Sequence, residues 1–128
     1  MTSELSILAL YGLLIVIVLL LEVLLAIPEL GLPYLVSPRD ESREATGTGG
    51  RTRRAALNCV YGMALFAPAV LILAVQNAFT ATTLLAAQAF LIARVIYVVV
   101  YLTGIPWIRT LSWTVSLLAT AWLYILAL

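Results

Sequence analysis

Residues 51–75 read RTRRAALNCVYGMALFAPAVLILAV. Arg51, Arg53 and Arg54 stand in the first four positions, after which the run is apolar or small except for Asn58 and Tyr61. A helix crossing the hydrocarbon core, about 30 Å thick, needs roughly 20 such residues, and the arginines mark the end at which it leaves the membrane. A polar side chain just inside that end is unfavourable unless it has a partner or faces a wet cavity. Asn58 and Tyr61 therefore point to a second polar surface elsewhere in the chain.

The remaining sequence belongs to the same solvent. Of 128 residues, 64% are hydrophobic and 10% charged, and the mean hydropathy is +1.13; a soluble domain is about one quarter charged. Four stretches are long and apolar enough to span: about 5–27, 54–75, 80–103 and 109–128. The expected fold class is an all-α integral membrane protein, a four-transmembrane-helix bundle forming one domain over residues 1–128. Membrane β-strands would appear as short alternating segments, a pattern this sequence lacks. The first run follows an acidic MTSE, exceeds a signal-peptide core and has no small-x-small site before IPELG, so it is expected to remain a span. A single cysteine, Cys59, and no histidine leave no intrachain disulfide and no Cys/His zinc site. A net charge of +1 gives no case for nucleic acid.

Arg39, Arg43, Arg51, Arg53 and Arg54 lie in or beside the loop at 28–53, and QNAFTA between the second and third helices is uncharged. The positive-inside rule then puts the first loop and GIPWIR (104–109) in the cytoplasm, with both termini outside. Pro28, Pro33 and Pro38 argue against a regular helix through the whole loop, although LGLPYLV is apolar enough to lie in the interface. GTGG at 47–50 lacks the lysine and the preceding strand of a phosphate loop, and reads as part of a flexible charged hinge.

From the cytoplasmic helix ends, Glu22 lies roughly 8 Å deep, Asn58 roughly 6 Å, Tyr61 roughly 10 Å, Arg94 roughly 13 Å and Tyr97 roughly 9 Å. Arg54, Asn58 and Tyr61 form one stripe and Arg94, Tyr97 and Tyr101 another, at helical spacing. An arginine at mid-membrane costs at least about 2.5 kcal/mol on insertion scales, and Glu22 is the expected partner of Arg94. The bland reading of that pair is structural, a buried ion pair holding helices together. The full set, with Arg109, exceeds what packing needs and suits a small anion carrying amide groups, entering from the cytoplasm. No Ser-His-Asp set, paired carboxylates or metal ligands are present, so any chemistry would rest on arginine and tyrosine stabilising an anion. Trp107, Trp113 and Trp122, with Tyr11 and Tyr124, read as interfacial anchors, Cys59 as a packing residue, Gly12 and Gly62 as points of close helix approach, and Pro68 as a kink.

RRAALN opening the second helix, and ARVIYVVVYLTGIPWIRTLSW with its Arg-x-x-Tyr-x-x-x-Tyr stripe, resemble the MAPEG superfamily of membrane-associated proteins in eicosanoid and glutathione metabolism. GLPYLVSPRD and YLTG are most similar to small bacterial members, which implies a multi-pass protein of a bacterial inner membrane. The resemblance implies a homotrimer with glutathione as co-substrate, bound near the cytoplasmic face between subunits. It implies ligand contacts from Arg54, Asn58, Arg94, Tyr97 and Tyr101, and from Arg109 a guanidinium that holds the glutathione thiolate. A hydrophobic small molecule, the electrophile, would arrive through the lipid. Members commonly carry Arg-Ala-x-x-Asn-x-x-Glu, whereas here the last position is Tyr61, followed by Gly62 where some have a second tyrosine. Glu22 is the expected substitute for the missing carboxylate. Two rival readings remain: a small multidrug exporter coupled through Glu22, which three arginines in the same membrane half oppose, and a non-catalytic lipid- or ligand-binding protein on the same fold.

Overall fold

A computed structural model describes residues 2–39 and 43–128. Its helices are α1 (Glu4–Leu30), α2 (Leu32–Leu35), α3 (Gly47–Val75), α4 (Ala81–Thr103) and α5 (Pro106–Ala127), and all but the four-residue α2 are long and apolar enough to cross a membrane. The four long helices run up, down, up and down. α1 packs chiefly on α3 and α4 chiefly on α5, with α3 and α4 also in contact.

Sequence sets these limits locally. The Ser3 hydroxyl caps α1 by accepting from the Ser6 amide at 3.1 Å, and Thr80 forms a capping box with Thr83 at the start of α4. The two starts lie side by side, because the buried Glu4 carboxylate accepts from the Thr83 hydroxyl at 2.7 Å. Gly104, at φ 82°, closes α4, and Ile105 donates back to the Val100 carbonyl at 3.0 Å. Glycine fits this left-handed position without penalty. Pro106 then opens α5 in the first turn, where its missing N–H is harmless.

Over half of the α4 span, 56%, is buried within the chain, against 22–28% of the other three. α4 is thus the hub of the bundle. Along α1, Ile7, Tyr11, Ile15 and Val18 form the buried stripe, at the spacing that places one face of a helix against its neighbour. Tyr11 meets an aromatic cluster in which Phe66 of α3 and Phe90 of α4 stack at 3.9 Å between ring centroids. The Tyr11 hydroxyl donates to the Cys59 carbonyl. That bond needs Gly62: a Cβ there would stand 2.6 Å from the Tyr11 oxygen and 3.6 Å from the Arg94 guanidinium carbon. Gly62→Ala should accordingly destabilise the fold by about 1–3 kcal/mol, an overpacking penalty. Denaturation of detergent-solubilised protein checks this, and an unchanged midpoint would contradict it.

The loop is shorter and more structured than a flexible hinge. α1 runs through Pro28 to Leu30, and α3 begins at Gly47 instead of near Arg54. The Glu29 carboxylate accepts from the Thr46 amide at 2.8 Å and the Thr46 hydroxyl at 2.6 Å, pinning the cap of α3 to the end of α1. Gly49 and Gly50 are buried; a Cβ at Gly50 would stand 2.6 Å from the Ala45 carbonyl. The glycines that suggest a hinge thus let the chain return tightly against α1. α2 carries Pro33 in its first turn, and the interfacial reading of its apolar sequence fits the exposure of Leu32.

Candidate functional site

Arg54 of α3, Tyr97 and Tyr101 of α4 and Arg109 of α5 meet near the loop end of the bundle. The Arg54 Nε donates to the Tyr101 hydroxyl at 3.2 Å, and the Arg109 guanidinium sits over the Tyr101 ring, 4.9 Å from its centroid. Tyr97 and Tyr101 pack edge to face at 5.4 Å. The turn at Gly104 and Ile105 explains this: α5 folds back at once, so Arg109 in its first turn comes level with the last turn of α4. Asn58, Tyr97, Tyr101, Arg109, Thr110 and Trp113 line an open cavity of about 270 Å³.

A second cavity, about 230 Å³, shares Asn58 and Trp113 and extends along α3 and α5 past Tyr61, Gly62, Ser116 and Thr120. Arg94 lines it and is only 2% exposed. Its Nη2 donates to Asn58 Oδ1 at 2.9 Å and to Cys59 Sγ at 3.2 Å, and the guanidinium lies 4.4 Å from the Tyr97 ring centroid. The Arg94 Nε has no hydrogen-bond partner. Two neutral acceptors and a ring face thus stand around a buried cation, and none of its contacts among the described residues is a carboxylate. The hydroxyls of Thr110, Ser116 and Thr120 donate to backbone carbonyls of their own helix.

The expected Glu22–Arg94 pair does not form. Arg94 stands beside Gly62 and Tyr11, and Glu22 is eleven residues further along α1, about 16 Å away along its axis at 1.5 Å per residue. α1 and α3 project past the end of α4, where Arg51 donates to the Leu102 carbonyl and Gly49 lies against the Leu25 carbonyl, so depths counted from each helix's own end do not share an origin. Glu22 lines a different cavity, with Arg53 and the loop. Tyr61 is 66% exposed and borders the second cavity from the outer face of α3.

Trp113, read from sequence as an interfacial anchor, lines both cavities. Its spacing gives the signal: Arg109, Trp113, Ser116 and Thr120 follow at i, i+4, i+7 and i+11, one face of α5. Cys59 is fully buried as a packing residue should be, and also accepts from Arg94. Nothing in its spacing announces that second part.

A family model described as MAPEG family matches residues 6–128, nearly the entire chain. The chain belongs to the MAPEG family. Comparison with curated proteins and with solved structures finds no match. MAPEG membership and the four apolar helices together make this a multi-pass integral membrane protein.

Proposed function

We propose that this MAPEG protein binds glutathione or a closely similar thiol in the paired cavities and conjugates it to a hydrophobic electrophile, or reduces such a molecule, with Arg109 stabilising the thiolate. The observation that supports this most is the convergence of Tyr101 and Arg109 on one cavity also lined by Asn58 and Tyr97, with Arg54 bonded to the Tyr101 hydroxyl. A thiol of reference pKa about 8.5 is mostly protonated at neutral pH. A guanidinium hydrogen-bonded to sulfur favours the ionised, nucleophilic form. In conjugation the thiol proton leaves, sulfur bonds to the electrophilic carbon, and the displaced electron pair stays on the departing atom, which takes up a proton. A membrane-embedded cavity brings a water-soluble thiol to a lipid-soluble partner, converting an encounter between phases into a reaction within one site. The reading includes a homotrimer, with the loop end and its cavities facing the cytoplasm.

The donor set fits carboxylates and a thiolate. Among the described residues it offers no carboxylate to the ammonium of a γ-glutamyl group, since none of those lining either cavity is Asp or Glu. That absence supports the second reading, a MAPEG fold that binds a different anion without turnover. Calorimetry with glutathione on the detergent-purified protein separates the two. Binding below millimolar concentration, with a thiolate absorbance lost in Arg109→Ala, is expected for the transferase; no binding at millimolar glutathione would overturn it in favour of the second.

A further inference from the structure

A charged concavity lies away from these cavities, where α1 meets the loop. It has a volume of about 330 Å³ and is walled by Val23, Ala26 and Leu30 of α1, by Arg39 and Glu44 of the loop, and by Arg53 of α3, with Glu22 at its inner side. Volumes from about 300 Å³ upward are those in which small ligands are held. This one fits a headgroup-sized ligand.

Its shape is built. Glu29 clamps Thr46, the buried Gly49 lies against α1, and the Arg39 guanidinium is held by two hydrogen bonds to the Leu35 carbonyl, at 3.1 and 2.9 Å. Arg43 stacks on Tyr34, 4.7 Å from its ring centroid. Among the described residues, no hydrogen bond or ion pair engages Glu22, Glu44 or Arg53, although all three line this single cavity. Opposite charges that share a concavity without neutralising one another are complementary to a ligand carrying both signs. The apolar wall of Val23, Ala26 and Leu30 continues into the lipid-facing side of α1, where Val23 and Leu24 are exposed.

We propose that this cavity binds an ammonium-bearing phosphate, the chemistry of phosphoethanolamine, either as the headgroup of a membrane lipid or as a free phosphate ester. Guanidiniums of Arg39 and Arg53 receive the phosphate, a pairing for which the planar fork of arginine is suited. Glu22 and Glu44 receive the ammonium. The proposal is independent of the thiol reading, because it shares no lining residue with the two other cavities.

Native mass spectrometry of delipidated protein, offered phosphatidylethanolamine, phosphatidylglycerol or phosphatidylcholine of identical acyl chains, tests it. Phosphatidylethanolamine should be retained about tenfold over both others, since phosphatidylglycerol lacks the cation and phosphatidylcholine lacks ammonium donors. Arg53→Ala and Glu22→Gln should each reduce that preference at least about fivefold. Arg53 is exposed and Glu22→Gln keeps the side-chain shape, so unchanged helical circular dichroism should accompany the loss. Calorimetry with O-phosphorylethanolamine identifies the source: affinity matching that of the lipid assigns a free ester, and weaker binding a headgroup. Equal retention of the three lipids with no O-phosphorylethanolamine binding, or a preference insensitive to both substitutions, would overturn the proposal.

Discussion

Asn58→Ala should destabilise the bundle more than Arg94→Met, although the arginine is the larger and the charged partner of the pair. Removing Asn58 takes away a hydrogen-bonded oxygen 2.9 Å from a guanidinium that is 2% exposed. Leaving a buried charged donor without its acceptor costs more than the about 1–3 kcal/mol of a neutral group. Removing the arginine instead leaves a neutral amide oxygen unsatisfied, a penalty of about 1–3 kcal/mol, and the flexible thioether chain of methionine fills much of the vacated volume. Unfolding of the two variants in mixed micelles, followed by circular dichroism, should therefore rank Asn58→Ala as the less stable by about 1 kcal/mol. Equal losses would mean that Asn58 contributes packing only, and that the cation is neutralised elsewhere.

The second large effect is on turnover. If Arg109 stabilises a thiolate, Arg109→Ala should lower kcat by about 10²–10³, the range for deleting one donor aimed at developing charge. The KM for the thiol should change far less, because Arg54, Asn58, Tyr97 and Tyr101 remain to bind it. Arg109 stands over the Tyr101 face and borders the cavity, so a geometric effect must be separated from an electrostatic one. Arg109→Lys makes that separation. A lysine keeps the charge and loses the planar fork, and partial recovery of kcat at raised pH, where more thiol is ionised without help, would identify thiolate stabilisation. A fall in affinity matching the fall in kcat would instead assign Arg109 to binding.

Much of this could be read in the sequence. Apolar length alone gives four spans, and helical spacing alone predicts that Arg54, Asn58 and Tyr61 share a stripe, as do Arg94, Tyr97 and Tyr101. The structure brings those two stripes together, and Arg109 joins them through a two-residue turn. Spacing along one helix fixes which residues share a face, but it does not fix how neighbouring helices slide past one another. Glu22 was misplaced for that reason, since its height follows from where α1 and α3 end. Those ends depend on tertiary bonds such as Glu29 to Thr46, seventeen positions apart in sequence, and on glycines whose service is close packing. Trp113 illustrates a different gap. An aromatic residue near a membrane boundary serves as an anchor or as a cavity wall with the same local signature, and only the position of α3 and α4 decides between them.

The serine and threonine hydroxyls along α5 have a consequence for discrimination. With their protons committed to backbone carbonyls, their oxygens are left to act as acceptors, whereas the guanidiniums and phenols supply N–H and O–H donors. Such a wall sorts molecules by the sense of their hydrogen bonds. Of two guests equal in size and charge, one that sets its oxygens against the arginines and an N–H against the α5 hydroxyls is matched, whereas one that reverses these groups sheds its water and finds little to replace it. A guest bearing both kinds of group is thereby oriented, with its oxygens toward the guanidiniums and its nitrogen along the Ser116 and Thr120 face.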